Sequence, residues 1–239
     1  MNSSSGVRLE AIGEAWRLMT QEMGTWVLSI LVTGLILVPV YLIFFTIGMA
    51  ASFSPVMHPT PMGAFPSAQA QVSGPAPLGV LIGYLYLFLM GCFLFAGLFR
   101  MAVRQVRGER INLADLFKAR DVWLPFLGAY VLISIGTIVG MFLLFIPGLI
   151  VGGLTMLTYP IIADRRIGTI AAIQESMAAL KSQWLMATAV YFLTTLVAGL
   201  GFLALGVGVL FTYPMLFLTL AVVYRDTCML PSASAAQQR

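Results

Sequence analysis

The sequence predicts an all-α membrane protein, a polytopic helical bundle with about six transmembrane helices arranged as three hairpins. Of its 239 residues, 60% are hydrophobic and only 9% are charged, and the mean hydropathy is +0.96, whereas soluble domains carry about 25% charged residues. Charged residues are absent from 23–99, 122–163 and 182–224. Because a transmembrane helix needs about 20 apolar residues, each interval has room for two. A water-soluble fold is excluded, and we expect residues 1–239 to form a single integral-membrane domain.

The charge-free intervals place the predicted elements in order. The six predicted spans cover 26–52, 78–100, 123–146, 148–164, 184–206 and 208–225. With their lead-in segments they give hairpin units at about 7–104, 111–165 and 168–226. A proline-rich external loop at about 53–77 separates the first two spans and is interpreted as a loose spacer, with a substrate-binding cap as the alternative.

Each hairpin is expected to follow a short amphipathic helix lying in the membrane interface. In 7–23 and in 169–184, apolar residues recur with the three-four spacing of a helix, opposite polar residues. Between them, Asn112 followed three residues later by Asp115 is typical of a helix start. Such helices anchor hairpins at the bilayer edge, although a docking face for a cytoplasmic partner is an alternative.

The hairpins also show an internal repeat. Trp123 and Trp184 are offset by 61 residues, as are Gly140 and Gly201, and Arg165 precedes Arg225 by 60. Such self-similarity indicates one structural unit used more than once.

Prolines and glycines indicate where the spans could be interrupted. The tight turn of the second hairpin is placed at Ile146-Pro147-Gly148, and three further prolines lie inside predicted spans. The predicted helix breaks are therefore Pro39, Pro147, Gly148, Pro160 and Pro214.

An even number of spans puts every charged segment on one side of the membrane. The excess of Lys and Arg there predicts that this side, with both termini, is cytoplasmic. We expect the cations beside the spans to contact anionic lipid headgroups or a protein partner, and not nucleic acid. These cations are Arg100, Arg104, Arg107, Arg110, Arg120, Arg165, Arg166 and Lys181.

No catalytic constellation is visible in the sequence. All nine carboxylates lie in the predicted cytoplasmic segments, and the single histidine, His58, falls in the external loop without other metal-ligating residues. We therefore predict no catalytic, cofactor-binding or metal-binding residues. The predicted span interiors carry no ionisable carboxylate or cation, which disfavours ion-coupled transport through such groups.

The segment from Gly97 to Asp226 resembles a broad group of uncharacterised bacterial integral-membrane proteins, related to the membrane domain attached to some glycerophosphodiester phosphodiesterases. The residues that carry the resemblance are Arg107-Gly108-Glu109, Leu116-Phe117, Ile146-Pro147-Gly148, Asp164, Gly168, Ala172, Ser176, Lys181, Trp184 and Tyr224-Arg225-Asp226. The resemblance implies a six-helix bundle in the bacterial cytoplasmic membrane. The phosphodiesterase activity of that group belongs to a separate soluble domain and is not implied for this chain.

Two functions remain open from the sequence. The first is a non-enzymatic inner-membrane protein that organises, stabilises or regulates a membrane assembly. The second is a transporter or channel for a lipid or another hydrophobic solute. A membrane-bound enzyme is the least favoured class.

Overall fold

The computed structural model describes residues 6–52, 76–143, 145–203 and 208–229. It confirms the all-α polytopic bundle, since the described residues contain six helices long and apolar enough to cross a membrane. The α-helices are α1 (Glu10–Gln21), α2 (Met23–Ser52), α3 (Ala76–Val106), α4 (Trp123–Leu143), α5 (Phe145–Thr155), α6 (Thr158–Arg165), α7 (Thr169–Leu180), α8 (Trp184–Leu203) and α9 (Val209–Tyr224). Two short 3₁₀ turns, Leu113–Phe117 and Lys181–Gln183, and a π-helical turn, Arg225–Met229, complete the described structure.

The contacts divide the chain into two compact units. The larger unit contains residues up to Val32 together with those from Cys92 onward, and the smaller unit is Thr33–Gly91. The predicted external loop, apart from its last residues at the start of α3, lies outside the described residues.

The smaller unit is an antiparallel helix pair built from the later part of α2 and the earlier part of α3. The Tyr86 hydroxyl donates to the Ile36 carbonyl at 2.8 Å, and the rings of Tyr41 and Tyr84 lie 5.7 Å apart. Large apolar side chains such as Leu35 are exposed in this unit, as expected of helices that face lipid.

In the larger unit, α1 and α7 turn small side chains towards the protein. On α7 the buried residues are Ala172, Ser176 and Leu180, whereas Ile170 and Met177 are exposed. On α1 they are Ala11, Ala15 and Met19. The small buried residues allow these short helices to lie close to the bundle, while other apolar side chains, such as Ile170 and Met177, project outward.

The lead-in to the second hairpin is a 3₁₀ turn, and its predicted start is confirmed. The Asn112 side chain accepts from the backbone N–H of Ala114 at 3.4 Å, while the Asp115 carboxylate accepts from the backbone N–H of Asn112 at 3.1 Å. This reciprocal arrangement is a capping box.

Four of the five residues predicted to break helices lie inside continuous helices. Pro39 and Pro214 lie inside α2 and α9, which continue past them. Pro147 and Gly148 lie in the first two turns of α5 and do not form the hairpin turn, because a helix tolerates proline in its first turn, where the missing N–H has no intrahelical partner. Glycine is needed on both sides of this close approach: a methyl group on Gly148 would lie 2.8 Å from the Met141 backbone nitrogen, and one on Gly140 would lie 2.8 Å from the Gly148 Cα.

The same kind of approach closes the last hairpin, where a methyl group on Gly201 would lie 3.0 Å from the carbonyl carbon of Gly208. The two glycine pairs occupy equivalent positions in the predicted repeat. The repeat itself stays a prediction.

Two span boundaries also differ from the prediction. Helix α3 continues to Val106, past the predicted end at residue 100, so Arg100 and Arg104 belong to a helix. The predicted span 148–164 consists of two helices, α5 and α6, separated by a turn at Met156 and Leu157.

Candidate functional site

Five of the eight predicted lipid-contacting cations are paired with carboxylates of the same chain. Arg100 and Arg166 both contact Asp121, at 2.6 and 2.9 Å. The other pairs are Arg104–Asp115, Arg107–Asp164 and Arg165–Glu175. Any contact of these five cations with lipid headgroups would compete with these internal ion pairs. The predicted lipid contact stays a prediction.

The remaining three predicted cations, Arg110, Arg120 and Lys181, are exposed and form no ion pair with the residues that the structure describes. Arg17 on α1, which was not among the predicted contacts, shares this property. These four side chains are the cations most available to an external anion.

Three aspartate side chains are largely buried, and two of them, Asp164 and Asp226, connect segments that lie far apart in the sequence. The side chains of Asp115, Asp164 and Asp226 are only 3%, 6% and 2% exposed. Asp164, at the end of α6, pairs with Arg107 and accepts a hydrogen bond from the Tyr224 hydroxyl at 2.7 Å. A buried carboxylate requires such partners to remain charged.

Asp226 lies in a cluster that the sequence did not predict. Its carboxylate contacts Arg8 at 2.7 Å and Arg225 at 2.8 Å, and Glu14 of α1 contacts both arginines. The hydrogen bond from Arg225 lowers the pKa of Glu14, against the opposing effect of partial burial. This cluster fastens the N-terminal segment to the end of α9.

Burial would raise the pKa of Asp115, but the surrounding donors and charges outweigh it. Lys118 donates to the carboxylate at 3.0 Å, the Asn112 backbone donates to it, and the charge of Arg104 adds to the effect, so the pKa of Asp115 lies below its ordinary value. The carboxylate is therefore ionised at neutral pH and acts as a structural anchor.

Pro160 removes one backbone hydrogen bond at the interruption between α5 and α6. Proline has no N–H to donate to the carbonyl four residues earlier, which is that of Met156. The Ser176 hydroxyl of α7 donates to the nearby Leu154 carbonyl at 2.7 Å. The short helix α7 thus supports the broken span, a role for Ser176 that sequence reasoning missed.

Two glycines let α8 approach the broken span closely. A methyl group on Gly153 would lie 2.7 Å from the Thr188 Cα, and one on Gly152 would lie 2.4 Å from the Tyr191 ring. At the break, the Thr158 hydroxyl is buried and has no hydrogen-bond partner among the described residues.

Beside the broken span lies an aromatic cavity of about 370 Å³. It is lined by residues of α3, α4, α6, α8 and α9, and none of the lining side chains is charged. The lining residues are Phe95, Phe99, Phe126, Tyr130, Tyr159, Tyr191, Thr194, Thr195, Ala198, Gly199, Tyr213, Leu216, Phe217 and Leu220. Cavities of roughly 300–1,000 Å³ with apolar walls and a few polar groups are typical of small-molecule sites.

The aromatic rings of the cavity form a connected cluster. Phe99 stacks against Tyr159 with ring centroids 5.4 Å apart and contacts Phe217 edge-on at 4.9 Å. Phe126 lies 4.9 Å from Tyr159. Because Tyr159 is the second residue of α6, the break in the span fixes one wall of the cavity.

No group of three or more His, Cys, Asp or Glu side chains that could hold a metal ion occurs among the described residues. None of the predicted breaks or cations lines the cavity, although Pro160 and Pro214 each follow a lining tyrosine, Tyr159 and Tyr213. The aromatic residues were not predicted as a site, although the recurrence of Thr-Tyr-Pro at 158–160 and 212–214 was a signal for two of them. Comparison with protein families, curated proteins and solved structures found no match to this chain.

Proposed function

We propose that this chain is a multi-pass protein of the bacterial cytoplasmic membrane that binds and moves a lipid or another hydrophobic solute, without a catalytic step of its own. The observation that carries the proposal is the uncharged aromatic cavity beside a broken span. Transporters often bind their solutes where transmembrane helices are interrupted. The cluster of charged residues at the helix ends supports a topology with both termini in the cytoplasm.

The uncharged lining restricts what the cavity can accept. A charged group buried without a partner is strongly unfavourable, so the part of the solute that enters must be neutral and largely apolar. The Arg and Asp pairs lie at the helix ends and remain available to hold the bundle together while a solute passes.

A cavity-filling variant tests the proposal. Ala198 lines the cavity, so Ala198→Phe should occlude it, whereas Leu196→Phe changes an exposed side chain of the same helix and serves as the matched control. Native mass spectrometry of gently extracted wild type and Leu196→Phe should show a defined hydrophobic adduct that Ala198→Phe lacks. Absence of any adduct from the wild type, or equal adducts in all three proteins, would contradict binding in the cavity.

Flux measurements test the movement of the solute. Liposomes containing wild-type protein should exchange the adduct identified above faster than liposomes containing Ala198→Phe. Equal rates in these liposomes and in protein-free liposomes would overturn the transport part of the proposal while leaving binding intact.

A second candidate function is the organisation of a membrane assembly, and the outward faces of α1 and α7 favour it. Trp16 and Met177 are 48% and 44% exposed, and Arg17 and Lys181 add exposed positive charge. A combined Arg17→Ala and Lys181→Ala variant should then lose a stoichiometric partner seen with the wild type by native mass spectrometry. A wild-type spectrum without a foreign subunit would count against this function.

A further inference from the structure

We propose that the cavity binds a neutral ring compound carrying oxygen acceptors, the chemical class to which membrane quinones belong. The inference rests on the proposed function, because it names the class of the hydrophobic solute. Three properties of the lining support it: the absence of charge, the dominance of aromatic rings, and two lining tyrosines whose hydroxyls make no hydrogen bond with another described residue.

Aromatic rings make up most of the cavity wall. A saturated acyl chain gains only from apolar contact, for which aliphatic walls would suffice. A planar ring gains further from edge and face contacts with other rings, worth about 0.5–1.5 kcal/mol for each pair. Phe99 and Tyr159 are nearly parallel, with an interplanar angle of 22°, while Phe217 meets Phe99 at 85°. The wall therefore offers both faces and edges to a flat ligand.

The threonine and tyrosine hydroxyls of the cavity wall indicate that the ligand carries a hydrogen-bond acceptor. Thr194 and Thr195 already donate to the backbone carbonyls of Val190 and Tyr191, so their protons are used within α8. The hydroxyls of Tyr159 and Tyr191 make no hydrogen bond with another described residue. A buried tyrosine hydroxyl usually finds a hydrogen-bond partner, and an oxygen acceptor on a ligand in the cavity would provide one.

The position of Tyr191 is fixed by the backbone opposite it. A methyl group on Gly152 would lie 2.4 Å from Cε1 of the Tyr191 ring and 3.0 Å from its hydroxyl oxygen, so the ring lies directly on α5 where glycine leaves space. Tyr159 is fixed by its stacking on Phe99. The two donors are thus held by different helices, α8 and α6, in one uncharged cavity.

Duroquinone and durene are probes that separate the ring from its oxygens. They share the same tetramethyl ring, but durene has no carbonyl oxygen. Equilibrium dialysis of the full chain in nanodiscs, corrected with empty nanodiscs, should show saturable binding of duroquinone that is at least about threefold tighter than that of durene, since one or two neutral hydrogen bonds make the difference. Dodecane, a saturated chain, should bind more weakly than either.

The tyrosine variants Tyr159→Phe and Tyr191→Phe keep the rings and remove the hydroxyls. Each should weaken duroquinone binding about three- to tenfold and leave durene binding unchanged. Tyr84→Phe, in the smaller unit and 54% exposed, should bind all probes as the wild type does. Durene binding in the variants also shows that the cavity has kept its shape.

The outcomes distinguish this inference from the function on which it rests. Equal binding of duroquinone and durene, or tyrosine variants that bind duroquinone as well as the wild type does, would overturn the assignment of an oxygen-bearing ligand and leave a hydrophobic cavity. Tightest binding by dodecane would overturn the ring compound but support a saturated lipid. Absence of saturable binding by all three probes would overturn the cavity as a binding site altogether.

Discussion

The two hairpins of the larger unit contain the same tripeptide, Thr-Tyr-Pro, at 158–160 and at 212–214, but their backbones differ. Before Pro160 the chain leaves the helix at Met156 and Leu157, and α6 begins anew. Around Pro214, α9 continues from Val209 to Tyr224. Pro214 cannot donate a hydrogen bond to the Leu210 carbonyl, which lies in the first turn of α9. Pro160 cannot donate one to the Met156 carbonyl, which lies in the middle of the span.

The surroundings of the two prolines explain the remaining difference. At the first, Ser176 of another helix donates to the Leu154 carbonyl, and Gly152 and Gly153 admit α8 closely. At the second, Thr212 donates across its own hairpin to Ala198 at 3.3 Å. A proline removes one helical hydrogen bond in both places, but only the first has neighbours that stabilise an interruption.

The strongest test compares the aspartates at the ends of the two hairpins. Asp226→Asn should lower the free energy of unfolding by about 3 kcal/mol, because Arg8 and Arg225 lose their buried partner. Asp164→Asn should cost less, since Arg107 is 43% exposed and can be solvated. Reversible unfolding of the purified protein in mixed micelles measures both, with Glu10→Gln, an exposed carboxylate without an ion pair among the described residues, as control. A larger effect at Asp164 would show that the hairpin ending with α6 is held more tightly than the hairpin ending with α9.

Close approach at the broken span can be tested with a single methyl group. Gly153→Ala should destabilise the protein by about 2 kcal/mol, because the new methyl would overlap the backbone of Thr188. Gly199→Ala, on α8, meets nothing within 4 Å and should be neutral or slightly stabilising. Equal unfolding free energies for the two variants would refute the tight α5–α8 contact.

The support given by α7 predicts unequal effects of two hydroxyl deletions. Ser176→Ala leaves the partly buried Leu154 carbonyl without its 2.7 Å donor and should cost about 1–2 kcal/mol. Thr212→Ala loses a 3.3 Å bond and should cost less than about 1 kcal/mol. The same unfolding assay measures both variants. If Thr212→Ala were the more destabilising of the two, the hydrogen bond from α7 would not explain the break.

Replacing the two prolines tests whether proline itself causes the break. Pro160→Ala supplies an N–H for the Met156 carbonyl, a hydrogen bond of about 1 kcal/mol, and should slow amide exchange across 156–160. Pro214→Ala should alter exchange little, because α9 is already continuous. Hydrogen-exchange mass spectrometry reports both. Unchanged exchange in Pro160→Ala would assign the break to the packing of glycines and Ser176.

The smallest expected effect is a pH dependence at the end of α9, in the last hairpin. The pKa of Glu14 is lowered by its hydrogen bond from Arg225, so its contribution is fully present above the ordinary value of 4.5 and is lost as the pH falls through the lower folded-state pKa. Wild type should therefore exceed Glu14→Gln in stability by up to about 1 kcal/mol at pH 7, and the difference should shrink below pH 4.5. If the stability difference between wild type and Glu14→Gln grew as the pH fell, the pKa of Glu14 would be raised by folding and not lowered.

The spans could be predicted because burying charge in lipid is so costly that charge-free intervals mark them. The capping box at Asn112 could be predicted because its partners are three residues apart. The break before Pro160 could not be located, since an identical tripeptide occurs in a continuous helix and the difference lies in tertiary neighbours. The pairing of Arg8 with Asp226 and the convergence of Phe99, Tyr159 and Tyr191 on one cavity likewise depend on how distant helices assemble.

The contact between Arg8 and Asp226 has a consequence for biosynthesis. Its two residues are 218 positions apart in the chain, so at roughly 5–20 residues per second the ribosome adds Asp226 roughly 10 to 45 s after Arg8. Until then Arg8 lacks Asp226, and Glu14 of α1 lacks Arg225. The first helix of the chain is thus expected to be among the last to reach its final place, and its docking would mark the completion of folding.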